Sequence, residues 1–500
     1  MLFCGGVTVI VAEGINFVYP SLGPGLPATE VLRGVSLRVP EGEVVAVMGA
    51  TGSGKSTLCH LLAGLAPRYT GGELTGTVRV AGYDGVAAMP PVGIVGSLFQ
   101  DAATQLFNTT VETEVAWGLE AMGVAPYDIG LPVAEALTRF RLLEVRHRPP
   151  WALSGGQQKR LALAAVWAMR PRVMLLDEPL GGLDPVGRDE VLAALEVLRQ
   201  GGTTLLLTTL RPQAAKTASE VVLLEEETAR PPAPAAEMLA QEARLVDAGI
   251  LFPPRLWPDL RGRSDGGGSS PAVALTDVHF SYPAGSEVLC GINLEIPQGQ
   301  FVAVVGPNGA GKSTLIRHFN GLLRPAEGNV RIMGRDTSGR AVGELARDVS
   351  FLFQRPEQQL FGKTVQEEVA YAPRKLHLPE AAARVRRALA RFGLEAQATM
   401  PPAILSYGVQ RAVTLASLAA LDTPILVLDE PSVGLDGRGW AQLLGWLSER
   451  RAAGVTLIVV THEIALAARA DRVLVMDAGR VVGDGAPDEA LPRFSLGNAP

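Results

Sequence analysis

Cysteine is scarce: Cys4, Cys59 and Cys290 are the only three in 500 residues, far apart and without a C-x-x-C pair. That excludes a disulfide framework and a zinc module, and a reduced cytosolic setting fits. Basic excess is also missing. The formal net charge is −6 and the pI near 5.7, against the basic balance usual for nucleic-acid binders, so no nucleic-acid partner is expected. No stretch of about 18 uninterrupted apolar residues occurs, so no membrane span is expected. The N-terminus lacks a basic region and a small-residue cleavage site, which argues against a signal peptide. Lysine is rare too, six against 39 arginines, and two of the six are Lys55 and Lys312. What is abundant is apolar residues, 47% of the chain, enough for at least two ordinary domains with full cores.

Those two lysines sit in one motif written twice. Gly49-Ala50-Thr51-Gly52-Ser53-Gly54-Lys55-Ser56-Thr57 and Gly306-Pro307-Asn308-Gly309-Ala310-Gly311-Lys312-Ser313-Thr314 both fit G-x-x-x-x-G-K-[ST]. In that loop backbone N–H groups wrap the phosphates of a nucleotide. Each follows an apolar run (44–48 and 301–305) that reads as a buried strand, and precedes a helical pattern whose positive N-terminus would face the phosphates. A compact ammonium on a flexible stem suits a phosphate better than a guanidinium fork, which explains lysine here in an arginine-rich chain.

The rest of the chain repeats as well. Lys55 pairs with Lys312, Gln100 with Gln354, Ser154 with Ser406, Glu178 with Glu430 and Asp184 with Asp436, the offset drifting from 257 through 254 to 252. Slow drift means tandem copies with small loop insertions rather than a solenoid. Arg230-Pro231-Pro232-Ala233-Pro234 and the Gly/Ser run at 264–270 have linker composition, with a short helix expected around 236–246. The expected division is domain one at 1–228, linker at 229–270 and domain two at 271–500. Apolar runs alternate with helical patterns in both copies, which argues for α/β sheets with ligands at the carboxyl ends of the strands.

Downstream of the first loop come Leu153-Ser154-Gly155-Gly156-Gln157, Leu176-Asp177-Glu178-Pro179 and Gly182-Leu183-Asp184. Asp-Glu-Pro alone would read as an acidic helix start; in this order and spacing the set resembles the ABC-type ATPase domain, and the second half repeats it. The resemblance covers nearly everything outside the linker. It implies an α/β fold of two tandem P-loop NTPase domains, each with a RecA-like α/β core, an antiparallel β subdomain and a helical signature subdomain. It also implies ATP and Mg²⁺. Lys55 and Lys312 would hold β/γ-phosphates, and Ser56 and Ser313 would ligate the metal with support from Asp177 and Asp429. Glu178 and Glu430 would polarise the attacking water, while Gln100 and Gln354 would reach the metal and sense the γ-phosphate. Tyr19 and Tyr282 match the position where this family stacks a ring on adenine. Phosphoryl transfer asks for these types, charge neutralisation and a positioned water with little covalent work.

Domains of this type pair head to tail, one domain's phosphate loop against the other's signature, so Ser154, Gly155, Gly156 and Gln157 would serve one nucleotide and Ser406 and Gly408 the other. The copies are unequal. The second signature reads Leu405-Ser406-Tyr407-Gly408-Val409, and Thr461-His462-Glu463, which matches the family's switch histidine, aligns with Thr209-Leu210-Arg211. Both losses fall in the site of Lys55 and Glu178, so one competent site (Lys312, Glu430, His462) and one degenerate site are expected.

The segment after each glutamine points to a branch. Copy two reads Phe353-Gln354-Arg355-Pro356-Glu357-Gln358-Gln359-Leu360-Phe361, then Thr364-Val365-Gln366-Glu367-Glu368-Val369; copy one reads Phe99-Gln100-Asp101-Ala102-Ala103-Thr104-Gln105-Leu106-Phe107, without the Pro-Glu. This resembles the energy-coupling-factor branch of importers for vitamins and cobalt or nickel ions, fused pairs being similar to the ATPase of hydroxymethylpyrimidine/thiamine uptake. The resemblance implies a peripheral protein on the cytoplasmic face of the membrane, partnered by a transmembrane coupling subunit and a substrate-binding membrane subunit. Leu106, Phe107, Leu360 and Phe361 are candidates to grip that partner, with burial in the helical subdomain as the alternative. A ribose-type sugar importer ATPase and a soluble tandem ATPase of translation remain as alternatives; an excision-repair ATPase would need zinc modules that three cysteines cannot build.

Overall fold

A computed structural model describes residues 8–21, 28–84, 90–262, 271–283 and 285–497. Cys4 and the Gly/Ser run at 264–270 lie outside them. The chain divides into two compact units, Met1–Leu251 and Phe252–Pro500.

The first unit is built on the strand Val44–Met48, buried along its whole length. Its side chains alternate between two cores: Val44, Ala46 and Met48 enter one, Val45 and Val47 the other. A strand covered on both faces reads as an unbroken apolar run, which is why the sequence displays it so plainly. Val44–Met48 pairs in parallel with Thr204–Thr209 and Glu220–Glu225, and Val173–Asp177 continues the sheet from Thr204–Thr209 to Val95–Leu98. A separate antiparallel sheet runs in the order Thr29–Pro40, Thr8–Tyr19, Glu73–Val80, Tyr83–Asp84. Helices Val111–Ala121, Pro126–Arg139 and Gly155–Ala168 form the helical part.

The second unit repeats the plan. Its sheet runs Val349–Leu352, Ile425–Asp429, Thr456–Val460, Phe301–Val305, Arg472–Asp477, Arg480–Gly485. Its antiparallel sheet runs Glu287–Ile296, Val273–Ser281, Glu327–Ile332, Arg335–Asp336. Helices Val365–Lys375, Ala381–Arg391 and Tyr407–Ala419 mirror the helical part of the first. The fold class expected from the sequence is the one observed.

The span expected to be linker carries structure at both ends. Ala233–Pro234 adds to the sheet edge beside Glu220–Glu225, where a proline costs no ladder bond. Helices Ala235–Ala240 and Glu242–Asp247 follow, with Met238, Leu245 and Ile250 in the first unit's core. From Phe252 onward the chain packs on the second unit. Trp257 stacks on Trp440 with centroids 4.7 Å apart, and Arg469 donates to the Trp257 and Pro258 carbonyls at 3.0 and 2.7 Å. Proline-rich composition hid these anchors because the apolar residues are widely spaced.

Candidate functional site

Each phosphate loop leaves its central strand and enters the helix Lys55–Leu62 or Lys312–Arg317. The entry needs glycine: Gly54 and Gly311 have φ of +94° and +96°, and a Cβ there would meet the Val31 and Val288 carbonyls at 2.8 and 3.0 Å. Both lysines curl over their loops. Lys55 Nζ donates to the Gly49 and Ala50 carbonyls at 2.7 and 2.9 Å, Lys312 Nζ to the Gly306 and Pro307 carbonyls at 2.8 Å each. The ammonium is thus held inside the ring of backbone N–H groups that a phosphate would enter. Tyr19 and Tyr282 stand against the same helices, their hydroxyls 3.3 Å from Thr57 and Thr314 Oγ1. Each ring has an edge-to-face partner behind it, Phe17 or Phe280, leaving a side for a planar ligand.

Behind each loop lie the acidic pairs, at the carboxyl ends of Val173–Asp177 and Ile425–Asp429. Glu178 and Glu430 are buried and hold φ of +47° and +48°. A left-handed glutamate is strained, and the surrounding structure must over-determine it. Burial pushes both glutamates' pKa up, against the pull of Lys55 and Lys312; Glu430 reaches about 8. The Asp429 pKa is raised by burial, opposed by the hydroxyl of Ser313 and the Arg317 and Lys312 charges.

The two copies then part. In the second, the His462 backbone N–H points to Glu430 Oε2 at 3.4 Å and its Nε2 lies 3.3 Å from Oε1. In the first, Leu210 offers Glu178 a backbone N–H only. The hydroxyl of Thr208 also donates to Asp177 Oδ1 at 2.5 Å, where the second copy has Val460. Thr208 was not singled out from the sequence; its place two residues before the switch position was the only signal.

The signature helices differ at their first turn. Ser154 caps Gly155–Ala168 in a capping box, accepting from Gln157 N while the Gln157 side chain accepts from Ser154 N. Ser406 starts Tyr407–Ala419 without a side-chain cap bond. Val409 also removes the reciprocal half of the box, since its side chain cannot accept from the Ser406 N–H. Gly156 packs where a Cβ would come within 2.9 Å of Gly187, and Gly408 is likewise buried.

Gln100 and Gln354 each follow an edge strand, Val95–Leu98 or Val349–Leu352. The loops after them close on themselves. Gln105 and Gln359 accept from the backbone N–H of Phe99 and Phe353 and donate back to the Ser97 and Phe351 carbonyls. Buried Glu114 then accepts from Phe107 and Asn108 N–H, and buried Glu368 from Phe361 and Gly362 N–H. The result is a braced platform displaying Phe107 and Phe361, 60% and 64% exposed, each edge-to-face with a half-exposed neighbour, Trp117 or Tyr371. Leu106 and Leu360 instead pack against the cores, so of the four apolar candidates only the phenylalanines face outward. Trp117 and Tyr371 complete the surface; they sit one helical period off the motif and went unread.

Oxygen donors suited to a hard cation meet at the second loop, where the Ser313 hydroxyl bonds Asp429, and Ser56 and Asp177 are their sequence counterparts in the first. Asp429 Oδ1 and Glu178 Oε1 are buried without a hydrogen-bond partner among the described residues. A buried carboxylate oxygen of this kind calls for a cation or a water, so the residues fit Mg²⁺. Among the described residues no cluster of three or more His, Cys, Asp or Glu forms a closed metal site, and no helix is long and apolar enough to cross a membrane.

Fold, phosphate loops and acidic pairs together define a tandem P-loop nucleotide-hydrolysing ATPase. The ABC transporter family model matches residues 32–181 and 289–433, and the chain belongs to that family. It is an ABC ATPase, the ATP-hydrolysing subunit of an ABC transporter. An ABC transporter ATP-binding protein of Caldanaerobacter subterraneus subsp. tengcongensis is 32% identical over 90% of this chain and 87% of its own length. One of Methanosarcina mazei is 32% identical over 96% of this chain and 89% of its own. Among solved structures, cbiO1 from Clostridium perfringens, described as part of the ABC transporter complex cbiONQ, aligns over 44% of this chain and 90% of that one, at 33% identity and a TM-score of 0.40.

Proposed function

We propose that the chain energises an importer of the energy-coupling-factor type for a vitamin, such as a thiamine precursor, or a cobalt or nickel ion, and does so with one hydrolysing site and one that mainly holds ATP. The observation that carries the importer reading is the braced platform, present in both copies, whose Gln, Phe and buried Glu are the residues of the branch's motif. It offers an exposed aromatic pair beside the γ-phosphate sensor, to be gripped by the cytoplasmic helices of a membrane coupling subunit, with a second membrane subunit binding the cargo. The chain would then lie at the cytoplasmic face of the membrane.

In each loop the lysine and the backbone N–H groups bind the β- and γ-phosphates, and the tyrosine covers the adenine. Ser56 or Ser313, with Asp177 or Asp429 and Gln100 or Gln354, would hold Mg²⁺, which when bound would supply charge neutralisation at the phosphates. Glu430 orients the attacking water, and His462 fixes Glu430 and reaches the γ-phosphate. Head-to-tail pairing brings Ser154–Gln157 to the nucleotide on Lys312, and Ser406 and Gly408 to that on Lys55. Leu210 offers no imidazole, and losing one such electrostatic contact costs on the order of 10²–10³ in rate. ATP binding closes the pair and hydrolysis reopens it, which drives the membrane subunits because ATP prefers the closed form.

Turnover of Glu430→Gln and Glu178→Gln tests the asymmetry. Glu430→Gln should abolish most hydrolysis and Glu178→Gln much less of it; equal losses would sink the one-site reading. Co-purification of small membrane proteins with the chain supports the importer, and ribosomes in their place would overturn it.

A further inference from the structure

Within the second unit, the first turns of the signature helix are bonded to the backbone of the γ-phosphate sensor loop. Arg411 is fully buried. It donates from Nη1 to the Phe353 carbonyl at 2.7 Å and from Nη2 to the Gln354 carbonyl and, at 3.3 Å, to the Tyr407 hydroxyl. Tyr407 donates in turn to the Gln354 carbonyl at 3.4 Å. The tyrosine ring lies over Gly434, where a Cβ would approach Cδ1 to 2.4 Å. The Gln354 side chain itself is exposed, so its backbone anchors decide where it points.

The first unit is wired differently. Lys159, aligned with Arg411, donates to the Glu178 and Gly181 carbonyls at 2.9 Å each, and Gly155 stands where Tyr407 does. Lys159 therefore hydrogen-bonds the loop beyond the acidic pair, with the Asp101 charge of its own sensor loop nearby, whereas Arg411 hydrogen-bonds the sensor loop's carbonyls directly. A planar guanidinium fork fixes the directions of its bonds to the two carbonyls and still has a donor for the Tyr407 hydroxyl, whereas an ammonium on a flexible stem directs its bonds less rigidly.

We infer that Arg411, with Tyr407, is a positioning residue for Gln354: it fixes the sensor glutamine through its own carbonyl and makes signature helix and sensor loop move as one body. This rests on the reading of Gln354 as γ-phosphate sensor given above. On the proposed pairing, the second unit's signature serves the slow site and its Gln354 the fast one, so the Arg411 bonds carry the state of one site to the other. The altered signature is then a device for coupling and not mere decay.

Four substitutions in the full chain decide it, each assayed for ATP turnover and for amide exchange over residues 353–362. Gln354→Ala should lower kcat. Arg411→Met should lower kcat roughly tenfold, with KM for ATP changed far less, because a misplaced group loses transition-state contacts before ground-state binding. It should also speed exchange across the sensor loop, and in the Gln354→Ala background it should have no further effect on kcat, since groups acting through one another are non-additive. Tyr407→Phe keeps the ring and removes one bond, giving a smaller loss of the same kind even should Arg411→Met not fold; Arg411→Lys should restore only part. If Gln354→Ala leaves kcat unchanged, the sensor reading falls and this inference with it. If Gln354→Ala lowers kcat while Tyr407→Phe and Arg411→Met leave it and the loop's exchange unchanged, or lower kcat by the same factor with and without Gln354, the positioning role is overturned and the sensor reading stands.

Discussion

Replacing Glu368 by alanine tests the account of the platform. Its carboxylate is buried and accepts from Phe361 N–H at 2.8 Å and Gly362 N–H at 2.6 Å. Hydrogen bonds to a charged group contribute about 1.5–3 kcal/mol each. Both donors are only partly buried, so water replaces some of the loss in the variant. We expect Glu368→Ala to cost about 3 kcal/mol, and Glu368→Gln, which keeps one acceptor oxygen and loses the charge, about 1 kcal/mol. For a unit of this size each kcal/mol moves Tm by about 2–4 °C, so the alanine variant should melt roughly 6–12 °C lower by calorimetry. The neighbouring Glu367 is exposed, and Glu367→Ala should stay within about 0.5 kcal/mol. Glu114 holds Phe107 and Asn108 in the same way, so Glu114→Ala should reproduce the loss. Equal shifts for the Glu368 and Glu367 variants would refute the bracing. Freed from its brace, Phe361 should also co-purify less membrane partner.

Two further perturbations follow from the packing. Burial holds the Lys159 pKa down at about 8, against 10.5 for a free lysine. Between those values the unfolded chain binds the extra proton, so stability should rise with pH from about 8 upward by at most about 1.4 kcal/mol per unit and be flat below. Urea titrations of the natural chain and Lys159→Met between pH 7 and 10 should diverge in that window, and a constant difference would sink the buried-charge account. Trp257→Ala removes a ring stacked on Trp440 and packed in the second unit's core, and should lower that unit's stability by about 3 kcal/mol. A loss below about 1 kcal/mol would mean that 252–262 merely tethers the unit.

Legibility followed locality. The strand–loop–helix of each phosphate site, the acidic pairs and the histidine at position 462 could be read because each is a contiguous pattern with one physical meaning. In the linker the helix expected around 236–246 is present as Ala235–Ala240 and Glu242–Asp247, while its packing was not legible because the anchors Met238, Leu245 and Trp257 are single residues without period among Pro231, Pro232 and Pro234. Leu106 and Phe107 look alike in sequence, yet one packs inward and the other out, a distinction made by the Glu114 bonds seven residues on. Lys159 and Arg411 were invisible for a different reason: two cations at one aligned position choose different carbonyls, which no local pattern announces.

The pattern of what diverged between the copies bears on why the first site persists. Lys55, Ser56, Asp177 and Glu178 are all retained, and Glu178 still sits at φ +47°. A strained glutamate with no remaining task would be relieved by glycine at little cost, since glycine adopts positive φ freely. The changes instead cluster on groups that would act after ATP is bound: Leu210 for the histidine, Thr208 on the Asp177 carboxylate, and Tyr407 and Val409 in the facing signature. On the proposed one-site reading, that is the pattern a holding site requires. On the proposed pairing, Arg411 would give that site something to act upon, because within the second unit it bonds the altered signature helix to the Gln354 backbone.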